Sequence, residues 1–181
     1  ELFCVSAWND NGRPELATDA RAIFRSDFFP GLGWMLLKGF WNEIQSSWPP
    51  GYWDDFVRLP EIRKQRHCLR PEVSRTQTFG EVGASQGQFY KTHLAKIALN
   101  SEKVDWAKED LSYVATSASF DAYLAAKVAG AQRIDLHQIT KLPVGAGGSI
   151  AVQYVTANYK ACAKRFGLME DEKAGITRGS Y

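Results

Sequence analysis

The tightest constraint on this chain lies around Gly51-Tyr52-Trp53-Asp54-Asp55-Phe56-Val57-Arg58, set off by Pro49-Pro50 in front and Pro60 behind. Pro-Pro-Gly cannot continue the helix that the preceding residues suggest, so the chain restarts there, and Asp54 and Asp55 fall in the first turn of the next element. If that element is helical, the dipole at its N-terminus favours ionised Asp. Successive helical residues are turned about 100° apart, so the two carboxylates do not converge on one atom. They take different tasks, and one of them, beside an indole, is a candidate base.

The rest of the composition bounds what can surround this stretch. A chain of 181 residues holds one ordinary domain, or one domain with a small second lobe. A net charge of +2, with no basic stripe interleaved with aromatics, argues against a nucleic-acid partner. No apolar run reaches the roughly 20 residues that span a bilayer, and the first residues do not read as a signal peptide. The start at Glu1-Leu2-Phe3-Cys4-Val5 reads as a strand entered at once, as in a segment of a longer protein. Cys4, Cys68 and Cys162 lack Cys-x-x-Cys spacing, which disfavours a zinc cluster. Spacing leaves their pairing open, and base rates favour three buried thiols. Five of the six Trp fall between Trp8 and Trp53, a load that serves either core packing or the apolar faces of sugar rings.

Along the chain, a strand over residues 1–8 runs into the polar turn Asn9-Asp10-Asn11-Gly12. Asp27-Phe28-Phe29-Pro30-Gly31-Leu32-Gly33-Trp34 is an apolar loop whose glycines let backbone approach a ligand, and Leu32 has little local structure to pack into. Trp34, Leu37, Trp41 and Ile44 recur at helical spacing, predicting a helix from Trp34 to about Ser47. Arg63-Lys64-Gln65-Arg66-His67 reads as a solvated basic face. His67, His93 and His137 are isolated, so no histidine metal site is expected, and no Gly-x-Ser-x-Gly nucleophile motif occurs. The glycine-rich stretch 78–88 is no P-loop, since no Gly-Lys-Ser/Thr follows, and reads as a surface loop or a lid. Residues 101–116 suggest a helix with Val104, Leu111 and Ala115 on one side. Beyond it come a short helix through Phe120, Tyr123, Leu124 and Val128 closed by Gly130, a strand at Ile134-Asp135-Leu136 and a turn at Gly145-Ala146-Gly147-Gly148. A strand through Ile150, Val152 and Tyr154 follows, then a helix from Thr156 to a stop at Gly167, with Cys162 as a buried free thiol.

Ser6-Ala7-Trp8-Asn9-Asp10-Asn11-Gly12, the Asp27–Trp34 loop, Tyr52-Trp53-Asp54-Asp55 and Arg70-Pro71-Glu72-Val73-Ser74-Arg75-Thr76, with Phe79-Gly80 and Ser85-Gln86-Gly87-Gln88-Phe89, stand in fixed order. This set resembles the N-acetylglucosaminyltransferase I family, glycosyltransferase family 13, in detail as far as about Tyr113 and by pattern thereafter. The resemblance implies an α/β GT-A fold, Rossmann-like, with residues 1–113 as the C-terminal part of the catalytic domain, including a mobile loop over 79–93. Residues 114–181 would form a small α+β lobe continuing beyond Tyr181. It implies inverting β-1,2 transfer of N-acetylglucosamine from UDP-N-acetylglucosamine to the α-1,3-linked mannose of a high-mannose N-glycan. The setting would be the Golgi lumen, in a type II membrane protein whose anchor lies outside this chain.

Carried over by position, Asp54 is the implied base, Trp53 and Leu32 walls of the donor-sugar pocket, Ser85 a donor contact and Leu94 an apolar one. Gly80, Gly83 and Gly87 are the implied hinges of the closing loop. Cys4 and Cys68 match a disulfide of the family, against the free-thiol base rate. Mn²⁺ would be held by an acidic motif upstream of Glu1, and no metal ligand is assigned within the chain. The chemistry agrees with the residues. Hydrolysis by two carboxyl groups needs them to face each other across a glycosidic bond, at least about 5 Å apart, which adjacent Asp54 and Asp55 do not allow. Transfer needs one base. The related enzymes acting on protein O-mannose share the Pro-Gly-Leu-Gly-Trp and Trp-Asp elements, but Asp55, Phe79-Gly80 and Ser85-Gln86-Gly87-Gln88-Phe89 favour the N-glycan enzyme. A lectin-like sugar-binding module is the reading from a different class.

Overall fold

The computed structural model describes residues 1–82, 86, 87, 89–141 (backbone only at 139–141) and 149–178. The main sheet has four strands, β1 (Leu2–Ser6), β2 (Ile23–Ser26), β3 (Trp34–Leu36) and β4 (His67–Pro71), in the spatial order β2-β4-β1-β3. It is mixed: β1 and β4 are parallel, while β2 on β4 and β3 on β1 are antiparallel. The register sets Cys4 opposite Cys68, and their sulfurs are joined across the parallel pair with a Cα separation of 4.6 Å. The disulfide implied by the resemblance is present, and Cys162 is a buried free thiol.

Three short helices pack with it: α1 (Lys38–Ile44), α2 (Trp53–Arg58) and α3 (Pro60–Arg63). Phe3, Cys4 and Cys68 from the sheet, Phe29 from the loop after β2, Phe40 and Ile44 from α1 and Val57 from α2 form one buried cluster. Trp34, Trp48 and Trp53 pack against it, and Trp8 is buried. Core packing thus accounts for most of the tryptophans, each of which removes a large apolar area from water. The α2 helix starts after Pro-Pro-Gly as the sequence predicts, with both acids in its first turn.

The predicted helix from Trp34 begins later, at Lys38, because Trp34–Leu36 pairs with β1. Backbone bonds from Ala7 N to Gly33 O (2.8 Å) and from Leu37 N to Phe3 O (2.9 Å) bracket that pairing. Gly33 starts it in left-handed backbone (φ 62°), where a Cβ would also run into Thr76 Cγ2. Sheet pairing here overrides a helical pattern whose first turn would have started at Trp34.

The helix predicted over 101–116 is absent apart from a single turn at Ser112–Val114. Side-chain oxygens of Asn100, Asp105 and Asp110 instead accept from the backbone N–H groups of Glu102 (2.7 Å), Ala107 (3.3 Å) and Ser112 (2.9 Å). Such local bonds offer the backbone an alternative to the helical ladder. The basic run 63–67 is a solvated face only at Lys64 and Gln65. Arg63 is buried and donates to Asp27 at 2.9 Å, and His67 Nε2 lies 3.0 Å from the same carboxylate oxygen. The hydrogen bond with His67, with the Arg63 charge, holds the Asp27 carboxyl below its usual range against the opposing effect of burial.

Further along, α4 (Ser117–Gly130) opens on a capping box between Thr116 and Ser119 and sets Phe120 edge-on to Phe24 of β2, with centroids 6.2 Å apart. The strand expected at 134–136 lies at β5 (Gln132–Ile134) and pairs in parallel with β6 (Ile150–Val152), which stops short of Tyr154. The Gly145–Gly148 turn falls outside the described residues. The last helix, α5 (Tyr159–Phe166), ends on Gly167 in left-handed backbone, as predicted, and a hairpin of β7 (Glu172–Lys173) and β8 (Ile176–Thr177) follows. Among the described residues no helix is long and apolar enough to cross a membrane.

Candidate active site

The loop between β2 and β3 and the first turn of α2 meet beyond the carboxyl end of β1. The Ser6 hydroxyl at that end faces the carbonyls of Pro30 (2.8 Å) and Leu32 (3.3 Å), fixing the loop to the sheet. A Cβ placed on Gly31 would lie 3.6 Å from the Trp53 ring, 3.7 Å from an Arg58 nitrogen and 3.8 Å from Asp54 Cβ. Glycine at 31 therefore brings loop and helix to contact distance, and the Leu32 side chain beside it is exposed at 38%. Trp53 turns inward, its ring 5.1 Å from Trp34 and 6.1 Å from Phe29, centroid to centroid.

Arg58 organises the polar half. Its side chain is 6% exposed and donates through one nitrogen to Asp54 Oδ2 at 2.7 Å and Asp55 Oδ1 at 3.2 Å. Its other terminal nitrogen donates to the Phe29 carbonyl at 3.2 Å, and the guanidinium lies 4.5 Å from the Phe28 ring centroid. Charge-assisted bonds of this kind fix geometry more firmly than neutral ones. The two carboxylates thus do meet at one atom, against the expectation from their 100° separation, because the Arg58 side chain one turn on lies at i,i+4 to one and i,i+3 to the other. Asp55 is further bridged by Lys173 of β7 at 3.6 Å. Asp54 remains 39% exposed, and among the described residues no protein donor is found for its second oxygen, Oδ1. A carboxylate held by one oxygen and open at the other can accept a proton at a defined place.

Arg178, from the end of the hairpin, reaches the far side of the loop. It donates to Asp10 at 2.9 Å and Asp171 at 2.6 Å, and its guanidinium lies 4.9 Å from Phe28 and 5.9 Å from Phe89. Burial works against its charge, but Asp10 and Asp171 outweigh it and raise the guanidinium above its ordinary value.

Of the residues expected at the site, Trp53 and Asp54 both come within contact distance of the Cβ position of Gly31, which Leu32 follows in the chain. Leu94 stands in the short turn Leu94–Lys96. Gly80 is open to solvent, while Gly87 takes left-handed backbone (φ 68°) against the Glu81 carbonyl. Gly83 and Ser85 lie outside the described residues. Sequence reasoning missed Arg58, although it follows Asp54 at the i,i+4 spacing of helical ion pairs. It also missed Arg178, whose partner Asp10 is 168 residues away and leaves no local signal.

Among the described residues no group of three or more His, Cys, Asp or Glu side chains is placed to hold a metal ion. Asp54 and Asp55 are engaged by Arg58 and Lys173. These residues do not fit the Mn²⁺ that the resemblance implies.

Sheet and site define an α/β protein with a braced carboxylate and an indole on the first turn of a helix, beside a loop at a strand end, where open α/β sheets keep their ligands. More particularly, the chain belongs to the GNT-I family, whose pattern matches residues 1–181. Membership implies a GT-A-like fold, with which the mixed α/β architecture is consistent. The α-1,3-mannosyl-glycoprotein 2-β-N-acetylglucosaminyltransferase of Arabidopsis thaliana is 39% identical over 181 residues, which is 99% of this chain and 40% of that protein. The chain therefore spans less than half the length of this relative.

Proposed function

We propose that this chain serves a glycosyltransferase that moves N-acetylglucosamine from UDP-N-acetylglucosamine, with inversion and in β-1,2 linkage, to the α-1,3-linked mannose of a high-mannose N-glycan. Such a step would start hybrid and complex N-glycan synthesis. The observation that carries the reading is Asp54, pinned by Arg58 through Oδ2 and open at Oδ1, beside Trp53 and the Gly31-Leu32 loop. Identity of 39% to the Arabidopsis enzyme along nearly the whole chain supports it.

In the proposed reaction the mannose hydroxyl oxygen attacks the anomeric carbon and the bond from that carbon to the diphosphate breaks. The electron pair leaves with UDP, and the hydroxyl proton passes to Asp54 Oδ1. Placement of such a base contributes about 10²–10⁴-fold. Trp53 and Leu32 wall the donor sugar, with Leu94 and Ser85 as further donor contacts. A loop over 79–93, hinged at Gly80, Gly83 and Gly87, excludes water as a competing acceptor. Residues 1–113 belong to the GT-A catalytic domain and 114–181 to a small α+β lobe. The protein resides in the Golgi lumen as a type II membrane protein, a compartment in which the Cys4–Cys68 disulfide persists.

The full-length protein, supplied with UDP-N-acetylglucosamine, should modify a high-mannose glycan and leave a mannosyl peptide untouched. Preference for the peptide would move the chain to the O-mannose enzymes. Modification of neither would remove the transferase reading.

A further inference from the structure

We infer that Tyr52 is a platform for a sugar ring of the acceptor glycan, an inference that rests on the proposed transferase activity. Tyr52 stands immediately before Trp53 and two residues before Asp54, at the point where α2 starts, and its carbonyl accepts the first helical bond, from Phe56 N at 3.0 Å. Its side chain is 83% exposed, and among the described residues it has no hydrogen-bond or ring partner. An aromatic ring left in water next to a core that takes up Trp34, Trp48 and Trp53 is a residue that packing does not explain.

Its backbone points the same way. Tyr52 adopts the left-handed conformation (φ 53°, ψ 38°), which a Cβ disfavours. Gly51 directly before it has open space at its own Cβ position and ordinary backbone. The turn thus places its one left-handed residue at the tyrosine and not at the glycine beside it. Backbone strain held at a ligand site is a recurring device for aiming a side chain.

Direction then decides which substrate the ring meets. Trp53 runs inward to Phe29 and Trp34, on the side of the Gly31-Leu32 loop. Tyr52 remains outside, at most about 7 Å along the chain from Asp54. The acceptor must bring its hydroxyl to Asp54 from solvent, so its neighbouring rings pass within reach of the exposed phenol. A flat aromatic face matches the apolar face of a pyranose.

In the full-length enzyme, Tyr52→Ala should raise KM for a high-mannose N-glycan by about three- to tenfold, with KM for UDP-N-acetylglucosamine and kcat unchanged. Tyr52→Phe should keep the wild-type acceptor KM. Tyr52→Gly removes the ring and relieves the left-handed strain, so acceptor KM should rise while the thermal midpoint does not fall. A purely structural tyrosine would instead lower the midpoint and kcat together in both ring-less variants. Normal transfer with an unchanged acceptor KM in Tyr52→Ala would overturn the inference and leave the transferase reading standing. No transfer by the wild-type enzyme would remove both.

Discussion

Asp54→Asn in the full-length protein is expected to lower kcat for transfer by about 10²–10⁴-fold, with UDP-N-acetylglucosamine binding nearly unchanged. The substitution is close to isosteric, and the Asn carbonyl can still accept from Arg58, which holds the carboxylate oxygen at 2.7 Å. What is lost is a basic oxygen at the open position: the amide presents NH₂ there and takes no proton from the mannose hydroxyl. Donor binding should survive, because the loop around Gly31 and Leu32 is fixed by Ser6 and by Arg58 through the Phe29 carbonyl, independently of that oxygen. Asp55→Asn is the internal comparison. Asp55 meets Arg58 and Lys173, so its loss should loosen α2 without removing a proton acceptor. Wild-type turnover in Asp54→Asn would take Asp54 out of the reaction.

Breaking the Cys4–Cys68 bridge carries the largest expected effect on stability. The bond closes a sequence separation of 64 residues. For a loop of that length the chain-entropy model assigns about 4 kcal/mol. Both half-cystines are fully buried in the cluster that holds Phe3, Phe29 and Val57, so no solvent relaxes the gap that remains. At roughly 2–4 °C per kcal/mol for a domain of this size, the Cys4→Ala/Cys68→Ala variant should melt about 10 °C below wild type. Thermal unfolding with and without reductant checks this: reductant should lower the wild-type midpoint and leave the double variant where it is. Equal midpoints for wild type and variant would show that the bridge contributes nothing to stability through the unfolded chain.

Part of the fold and site is open in the sequence, for reasons that can be named. Pro-Pro-Gly leaves one way to restart a helix, so α2 and its two acids are legible. The same holds for the stop of α5 at Gly167, where the required left-handed backbone suits glycine. Trp34–Leu36 is not, because period alone cannot tell a short strand followed by a helix from one longer helix, and the deciding bonds come from Phe3 and Ala7. Residues 101–116 carry an apolar period, but Asn100, Asp105 and Asp110 hold their own backbone more locally than a helix would. At the site, the motifs show Asp54, Trp53 and Leu32 but not what holds them. Arg58 is hidden in plain spacing, and Arg178 and Asp10 meet only through the fold.

The most direct test of the central claim, that Asp54 serves sugar transfer and not sugar binding alone, is acceptor-dependent UDP release by the full-length wild-type protein. UDP should appear in step with N-acetylglucosamine incorporated into a high-mannose N-glycan, and the release should fall by about 10²–10⁴-fold in Asp54→Asn. Glycan binding with no UDP release would contradict the account and leave a lectin-like module in its place.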